Sequence, residues 1–387
     1  MARTGDRVLV AMSGGVDSSV AAAMLLEQGF DVVGCFMRLG SPGETLDTAD
    51  SCTPNATKIG RGCCSVGDAA DARLVAAKLG IPFYVCNFRD EFSRIMDYFA
   101  DEYVAGRTPN PCVRCNDWLK FGKLHAFARS LGIERVASGH YARVEHRPGA
   151  ARLLRGIDAS KDQSYVLFGI EPEHLRQMLL PIGALTKPAV RERALELGLE
   201  VHDKPDSQEI CFVPDDDYAG LVERRRPDAP RSGAIVDVDG NVVGTHAGQH
   251  RFTIGQRRGV GVAFGYPIYV VDKNPVDNTV TVGRAEHLMS TSCTASEANW
   301  LCQPGEGWRA CLAQHRYNSA AVPARVRVIA DSERKTPSGR RGRFEVEFDS
   351  PERAVTEGQA IVLYDREQPE LVLGGGWIER TNRMVER

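Results

Sequence analysis

Hydrophobic and polar positions follow two different periods along this chain of 387 residues. In the first half, short apolar runs typical of buried strands alternate with segments of helical period, and each helical segment stops at a glycine. The predicted strands are 7–12, 32–36, 81–86 and 135–138, and the predicted helices are 20–28, 68–79, 118–131 and 189–197. This alternation predicts an α/β fold with a doubly wound parallel sheet, whose ligands bind at the carboxyl ends of the strands.

After about residue 211 the helical period fades and alternation of period two replaces it. Residues 234–243, around an Asp-Gly-Asn turn, and the pair 267–271 and 279–282 are each typical of a β-hairpin. Further alternating segments at 324–329, 343–348 and 360–364 predict a C-terminal β-barrel. We therefore expect three domains: an α/β catalytic domain at 1–211, a small β-rich domain at 212–289 and a β-barrel at 290–387.

Composition narrows the class of protein. Lys and Arg number 48 against 51 Asp and Glu, and 26% of residues are charged, which argues against a disordered chain or a wholly basic nucleic-acid coat. The longest uncharged apolar stretch, 259–271, contains Gly and Pro and is shorter than the ~18 residues of a membrane span. The start of the sequence has no apolar signal-peptide region. These features predict a cytoplasmic protein with no membrane partner.

The most specific local signal is SGGVDSS at Ser13–Ser19, between a predicted strand and a predicted helix. Two glycines let the backbone approach an anion, three serines offer hydroxyls, and the helix N-terminus adds N–H groups and the positive end of its dipole. The motif lacks the Lys of GxxxxGK[ST], and GxGxxG is absent, so neither a P-loop NTPase nor a dinucleotide site is supported. We interpret Asp17 as a magnesium partner or as an acid at the start of the helix.

A second signal is GRTPNPCVRCN at 106–116. Its prolines predict a stiff extended arm that delivers Cys112 and Cys115 to the start of a helix, where nearby arginines favour the thiolate. A single CxxC is also typical of half a zinc site or a redox pair, but no second CxxC follows it. Cys211, in KPDSQEICF, would by itself be interpreted as a buried thiol.

The phosphate loop resembles that of the ATP pyrophosphatase (PP-loop) superfamily, whose members cleave ATP to AMP and pyrophosphate while adenylating a carbonyl oxygen. With SGHY at 138–141, KDQSY at 161–165 and the cysteine motifs, the chain closely resembles the tRNA-specific 2-thiouridylases of the MnmA family over nearly its whole length. The resemblance implies ATP and Mg²⁺ as cofactors. It implies the anticodon arm of tRNA as the substrate, and a partner protein, a cysteine desulfurase or sulfur relay protein, that supplies sulfur.

The resemblance also implies site residues. Cys115 and Cys211 are the working thiols, one carrying a persulfide and the other releasing sulfur by forming a disulfide. The implied ATP-binding residues are Ala11, Met12, Ser13, Gly14, Gly15, Val16, Asp17, Ser18, Ser19, Met37 and Gly139. The implied tRNA-binding residues are Asn110, Pro111, His140, Lys161, Asp162, Gln163, Arg316, Tyr317 and Gln359. His140 is equally well interpreted as a core or capping histidine.

One departure from the family pattern concerns Cys112, because many members carry Asp at this position. The role of that Asp in other members therefore cannot be assigned to Cys112. The set Cys112, Cys115 and Cys211 could instead hold a [4Fe-4S] cluster with one iron open for sulfide, since such clusters are ordinarily bound by thiolates. Two mechanisms stay open, a persulfide relay and cluster-bound sulfide, and the relay is favoured because it needs only two thiols.

The slightly acidic total charge hides a basic stretch. Residues 307–343 contain nine Lys or Arg against two Asp or Glu, with Trp308 and Tyr317 among them, which is typical of phosphate contacts with base stacking and also of an ordinary solvated face. Cys52, Cys63 and Cys64 lie in a polar segment, 41–67, interpreted as a surface loop because no tetrahedral metal set closes there.

Taken together, the sequence predicts an ATP-dependent tRNA sulfurtransferase that makes 2-thiouridine at the wobble position of the anticodon. One alternative is a PP-loop ligase that forms an amide or guanidino bond, which needs no paired thiols. The other is a non-catalytic RNA-binding or iron–sulfur protein, which would not convert ATP to AMP.

Overall fold

The structure is a computed structural model that describes residues 5–40, 66–205, 210–213, 217–229, 231–329 and 338–384. The chain divides into two compact units. The first contains Met1–Arg94 and Arg114–Asp217, and the second contains Ile95–Val113 and Tyr218–Arg387. Within the described ranges, no helix is both long and apolar enough to cross a membrane. The predicted loop carrying Cys52, Cys63 and Cys64 lies almost wholly outside the described residues.

The first unit is built on a parallel sheet, as the alternating pattern predicted. Its five strands run in the order β3-β2-β1-β4-β7. Their bounds are β1 Arg7–Ala11, β2 Asp31–Arg38, β3 Phe83–Asn87, β4 Arg135–Ser138 and β7 Met178–Leu179, and a hairpin, β5 Ala142–Arg147 with β6 Ala150–Arg155, follows β4. Every strand pair in the sheet is parallel. Its fully buried Val and Ala side chains, such as Val10 and Ala137, pack against the helices in one core.

The α-helices are α1 Val16–Glu27, α2 Val66–Leu79, α3 Arg89–Val104, α4 Pro111–Arg114, α5 Leu124–Ser130, α6 Pro172–Arg176, α7 Lys187–Glu196 and α8 Tyr218–Arg225. Between α4 and α5 the backbone forms a π-helix, Cys115–Lys123. The helix was predicted only from residue 118, so its true start at Pro111 is a correction. Asn110 explains that start, because its side-chain oxygen accepts a hydrogen bond from the Val113 N–H at 3.3 Å and caps the helix.

The second unit contains the two β-structures that the change of period predicted. A four-stranded sheet has the order β10-β11-β8-β9, and a closed antiparallel barrel has the order β12-β15-β14-β13-β16-β17. Their bounds are β8 Gly233–Val236, β9 Val242–His246, β10 Tyr269–Asn274, β11 Thr279–Gly283, β12 Met289–Trp300, β13 Arg309–Gln314, β14 Val322–Ile329, β15 Arg343–Arg353, β16 Ala360–Asp365 and β17 Val372–Arg383. Closure of the barrel leaves no unpaired sheet edge, which disfavours association through exposed strands.

A stacked histidine pair in the first unit gives a prediction about stability. The rings of His125 and His174 lie 4.4 Å apart, and burial lowers the pKa of His125 to about 3. The unfolded chain, with a His pKa near ~6.5, binds the extra proton between about pH 6.5 and pH 3, so stability falls as the pH falls through that window. We expect His125→Phe to reduce the slope of unfolding free energy against pH there by up to ~1.4 kcal/mol per pH unit.

Urea unfolding of both proteins at several pH values measures this slope. Equal slopes in the two proteins would contradict the assignment of His125 as a buried neutral imidazole.

Candidate functional site

The predicted nucleotide residues meet at one edge of the parallel sheet. Ala11, the last residue of β1, is in register with Cys35 of β2 and with Ser138, the last residue of β4. The chain segments that leave β1 and β4 therefore start side by side, and β2 continues beyond them to Arg38. Met12 and Ser13, the half-buried Met37, and Gly139 all lie at this edge.

The turn between β1 and α1 requires glycine at position 14. Gly14 has φ +72°, in the left-handed region, and a Cβ atom there would lie 2.2 Å from the backbone oxygen of Asp68. Gly15 precedes α1 in an extended conformation, with φ −98°. The loop is thus pressed against the first turn of α2, and no residue with a side chain fits at Gly14 without moving backbone.

The three serines of the loop differ in exposure, but their hydroxyls are connected. Ser18 and Ser19 are buried and donate hydrogen bonds to the Gly15 carbonyl at 3.2 and 2.8 Å. Ser18 Oγ also accepts from the Ser13 N–H at 3.1 Å. Ser13 itself is exposed. Ser13 Oγ lies 3.3 Å from Ser18 Oγ, so all three hydroxyls belong to one hydrogen-bond network that holds the shape of the loop.

Asp17 is held by partners that the sequence did not predict. The Lys187 ammonium donates to both carboxylate oxygens at 2.8 Å, and the Tyr141 hydroxyl donates to Oδ1 at 2.7 Å. Lys187 is only 8% exposed. The structure thus places Asp17 as the acid at the start of α1, the second of its two predicted roles. Lys187 begins a helix preceded by Thr186, but nothing local links it to Asp17.

A second lysine fixes the loop from the other side. Lys204 Nζ donates to the Gly14 carbonyl at 3.0 Å, to Asp68 at 2.7 Å and to Asp71 at 2.6 Å. Partial burial opposes its charge, but the hydrogen bonds to Asp68 and Asp71 outweigh burial and raise the pKa of Lys204. Lys204 is therefore a cation beneath the loop. Nothing in the local sequence KPDSQEICF indicates this role for Lys204.

The segment after β4 packs directly on the start of α1. A Cβ atom at Gly139 would lie 2.6 Å from the Ser18 nitrogen. His140 is buried, its Nδ1 lies 2.7 Å from Ser138 Oγ, and burial followed by the charge of Lys120 holds the pKa of His140 well below its ordinary value. His140 is consequently a buried ring whose surroundings disfavour the imidazolium form, and its contact with tRNA stays a prediction.

Within residues 161–163, the side chains of Asp162 and Gln163 accept hydrogen bonds from the protein itself. Asp162 accepts from Arg155 at 2.8 Å and from the backbone of Gly156 and Ser164 at 3.0 Å each. Gln163 accepts from the Tyr141 N–H at 2.9 Å. Lys161 is half-buried. Asp162 and Gln163 therefore shape the turn after β6, and any contact with RNA by this segment would have to be made alongside these bonds.

The structure distributes the three predicted sulfur residues over both units. Cys112 is exposed and lies in the first turn of α4, in the second unit. Cys115, the first residue of the π-helix, and Cys211 are half-buried and lie in the first unit. Among the described residues, no group of three or more His, Cys, Asp or Glu side chains is placed to hold a metal ion.

The two arginines expected to favour thiolates are both engaged. Arg107 forms a two-bond ion pair with Glu102, with Nε at 2.7 Å from Oε2. Arg114 is 1% exposed and its guanidinium lies 5.0 Å from the ring centre of Trp118. The ion pair with Glu102 therefore partly neutralises the positive charge of Arg107, which weakens its effect on any nearby thiol.

Gln359, predicted to support tRNA binding, holds the arm that leads to Cys112. Its amide donates to the carbonyls of Thr108 and Pro109 at 3.2 and 3.4 Å, and the Thr108 N–H donates to the Glu357 carbonyl at 2.9 Å. We call residues 357–359 the barrel clamp. The stiffness predicted from the prolines therefore also depends on a barrel loop about 250 residues further along the chain.

Gly358, in the centre of the barrel clamp, gives a second prediction. Its φ is +87°, and a Cβ atom there would lie 2.9 Å from Arg107 Cβ and 3.0 Å from the Thr108 backbone. Gly240 has φ +85° and nothing within 4 Å, so it is a matched control. We expect Gly358→Ala to lower the free energy of unfolding by about 1–3 kcal/mol more than Gly240→Ala. Equal losses in urea unfolding would show that the close contact is dispensable.

The basic stretch 307–343 of the barrel carries less net positive charge in the folded structure than its own residues indicate, because acids from elsewhere in the chain pair with its arginines. Arg325 and Arg327 of β14 pair with Glu347 and Glu345 of β15, their partners in register, and Arg309 pairs with Asp365 at 2.6 Å. These acids lie outside the counted window 307–343. Of the residues predicted to contact tRNA here, Arg316 donates to the Ala354 carbonyl at 2.8 Å, and Tyr317 is 41% exposed.

Three family models match consecutive parts of the chain. A family model described as "tRNA methyl transferase HUP domain" matches residues 6–215. One described as "tRNA methyl transferase PRC-barrel domain" matches 221–284, and an "Aminomethyltransferase beta-barrel domain" matches 290–378. The class of protein is therefore a HUP-domain enzyme followed by two β-structured domains, which confirms the predicted fold class.

Curated relatives narrow the class. The chain is 46% identical to "tRNA-specific 2-thiouridylase MnmA" of Rhodopirellula baltica, with 96% of each chain covered, and 46% identical to the protein of that name from Carboxydothermus hydrogenoformans, with 97% of this chain and 98% of the relative covered. A solved "4-thiouridine synthetase - RNA complex with bound ATP" is similar at a TM-score of 0.35 and 19% identity, covering 58% of this chain and 51% of that one. This chain belongs to the MnmA family of tRNA-specific 2-thiouridylases.

Proposed function

We propose that this protein is a tRNA 2-thiouridylase that uses ATP to exchange the C2 oxygen of the wobble uridine for sulfur. One observation carries the proposal: a chain of this family places a glycine-dependent loop and the N-terminus of α1 at the carboxyl edge of a parallel sheet, and it also carries Cys115 and Cys211. An anion-binding turn and two half-buried thiols are what adenylation followed by sulfur transfer requires.

The loop is suited to the phosphates of ATP. Gly14 lets the backbone approach closely, and α1 is 12 residues long with its N-terminus at the loop. Free N–H groups and the helix dipole at such an N-terminus favour a phosphate. Met37, at the end of β2, is proposed to contact the adenine. Lys187 and Lys204 keep the loop in shape by pairing with carboxylates that would otherwise repel an anion.

The proposed reaction has two transfers. The uridine O2 attacks the α-phosphorus of ATP and pyrophosphate leaves. The terminal sulfur of a cysteine persulfide then attacks C2 and AMP leaves with the oxygen. The second thiolate attacks the first cysteine's sulfur, so that a Cys115–Cys211 disulfide forms and the sulfur stays on the base. An external dithiol reduces the disulfide, and a sulfur-donor protein reloads the persulfide.

Neither proposed metal gains support from the protein side chains. The carboxylate of Asp17 is engaged by Lys187 and Tyr141, so the folded loop does not offer it to Mg²⁺. Magnesium often binds mainly through substrate phosphates and water, and we propose that it enters with ATP. The described residues contain no three-ligand group for a [4Fe-4S] cluster. We adopt the persulfide relay because it needs only two thiols, Cys115 and Cys211, with tRNA in the cytoplasm as the substrate.

Nucleoside mass spectrometry tests the function. The protein is incubated with unmodified tRNA, ATP, Mg²⁺, a cysteine desulfurase with its cysteine substrate as the persulfide donor, and a dithiol that reduces the disulfide, and the digested tRNA is analysed. We expect 2-thiouridine to appear only with ATP, together with AMP. Methylated uridine without an ATP requirement would instead favour the activity named in the family-model descriptions. AMP formation with no change to the tRNA would favour a ligase.

Cys112→Ser separates the two sulfur mechanisms. A relay through Cys115 and Cys211 keeps at least about half of its rate, because Cys112 takes no part in either transfer. A cluster held by all three cysteines would lose its iron and its activity together. Anaerobic purification with iron and sulfide analysis of both proteins measures the difference, and iron bound in the active wild-type protein but lost with activity in the variant would overturn the relay.

A further inference from the structure

Two cysteines that the proposed reaction does not use are in direct contact within the first unit. Cys35 of β2 and Cys86 of β3 lie on neighbouring strands, and their sulfur atoms are 3.3 Å apart. Cys35 is fully buried and Cys86 is 8% exposed. β3 is the edge strand of the sheet, and its neighbouring residues Tyr84 and Val85 are each 44% exposed. A small reagent therefore has a short path to Cys86.

The contact makes the two thiols chemically unequal. The Cys35 S–H donates to Cys86 Sγ, and this bond lowers the pKa of Cys86 although burial opposes the shift. The same hydrogen bond, followed by burial, raises the pKa of Cys35. Because the thiolate is the nucleophile of cysteine chemistry, Cys86 is the reactive member of the pair.

Other buried cysteines of the chain show what an ordinary core thiol looks like here. Cys311 lies in the barrel, where burial raises its pKa to about 12, and burial likewise raises the pKa of Cys293. Such thiols stay protonated and inert. The pair in the sheet differs from them because each sulfur has the other as its neighbour.

We propose that Cys35 and Cys86 are a redox-active dithiol, which a peroxide converts to a reversible intramolecular disulfide. The Cys86 thiolate attacks one peroxide oxygen, forming a sulfenic acid and releasing, for hydrogen peroxide, water after protonation. The Cys35 thiol then attacks that sulfur, the S–O bond breaks, and a second water leaves with the thiol proton. Two thiols lose two electrons, and the peroxide gains them. An added dithiol reverses the change by thiol–disulfide exchange.

Formation of this disulfide must bring the two sulfur atoms closer together. The sulfur atoms have to approach from 3.3 Å to about 2.05 Å. Cys35 is in register with Tyr84, not with Cys86, so the bond joins diagonal positions, and closing it draws β3 along β2 to the extent that side-chain rotation does not close the gap.

The movement reaches the proposed nucleotide site through Met37. Met37 is the residue of β2 in register with Cys86, and it stands at the carboxyl edge where we place the adenine. Oxidation of the dithiol is therefore expected to lower nucleotide affinity. This consequence rests on the proposed function, whereas formation of the disulfide does not.

Peptide mapping of the full-length protein tests the proposal. The reduced protein is treated with hydrogen peroxide, remaining thiols are alkylated, and peptides are mapped without reduction. We expect a linked peptide joining Cys35 and Cys86 that disappears after dithiothreitol. ATP affinity, measured by titration calorimetry in the same samples, should fall about fivefold or more and recover on reduction.

Two variants sharpen the test. Cys86→Ser should lose both the linked peptide and the peroxide effect on ATP affinity, while Cys311→Ser, a control in the barrel, should keep both. The proposal is overturned if Cys35 and Cys86 remain alkylatable after Cys115 or Cys211 has oxidised, or if Cys86 links to another cysteine. Linkage of the pair with unchanged ATP affinity overturns the regulatory consequence. Failure of the reduced protein to bind ATP would count against the proposed function, and the mapping would still decide the dithiol.

Discussion

Replacement of Cys115 or of Cys211 by serine is expected to lower tRNA thiolation by at least about a thousandfold. The reason is that a serine hydroxyl can neither carry a persulfide nor close the disulfide that releases sulfur. ATP binding should stay within about twofold of the wild type in both variants, because neither residue belongs to the loop between β1 and α1. Thiolation is measured by nucleoside mass spectrometry, and ATP binding by titration calorimetry.

Cys302→Ser is a matched control for this prediction. Cys302 is half-buried, as Cys115 and Cys211 are, but it lies beyond β12 in the barrel. Its substitution should leave thiolation nearly unchanged. If either Cys115→Ser or Cys211→Ser keeps substantial thiolation, the two-thiol relay is wrong. Loss of ATP binding in the same variants would show that they act through the fold instead.

The second large effect is expected at Gly14. An alanine there costs about 1–2 kcal/mol for the left-handed backbone, and its Cβ would also lie 2.2 Å from the Asp68 carbonyl. Because that carbonyl belongs to α2, relief requires movement of backbone, which typically costs a further 1–3 kcal/mol or so. Gly14→Ala should therefore reduce ATP affinity about tenfold or more, since each ~1.4 kcal/mol is a factor of ten.

Gly132→Ala separates backbone strain from crowding. Gly132 has φ +69°, but a Cβ atom there would meet nothing within 4 Å, so it shares only the first cost. Urea unfolding gives the stability of both variants, and titration calorimetry gives their ATP affinity. If Gly14→Ala binds ATP as well as Gly132→Ala does, the close fit of the loop against α2 is not what the nucleotide requires.

Local features of the site were predictable because they depend on neighbours in the sequence. The alternation of periods predicted the order of β1, α1, β2, α2 and β3, and Gly14 with Gly15 marked the loop. Strands end where their apolar runs end, and helices end at glycine, so both are decided by short-range sterics and patterning. The π-helix at Cys115–Lys123 left no such signal, because its hydrophobic spacing is close to that of an α-helix.

Charge was predicted less well than structure. The window 307–343 suggested a strongly basic face, yet Arg325 and Arg327 are matched by Glu347 and Glu345 across the β14–β15 ladder. Net charge counted along a sequence ignores cross-strand neighbours, which sit directly opposite each other in a sheet. A surface potential therefore follows register as well as composition.

By itself, the sequence determined which segments become strands and helices, where the anion-binding loop lies, and which cysteines are candidates to carry sulfur. Tertiary structure alone decided which distant residues pair. Lys187 binds Asp17, 170 positions away, and Gln359 binds the arm before Cys112, 250 positions away. Cys35 contacts Cys86, 51 positions away. The physical reason is the separation along the chain over which each kind of interaction acts. Backbone conformation responds to nearby residues, whereas such pairings exist only after the order and register of strands have brought distant parts of the chain together.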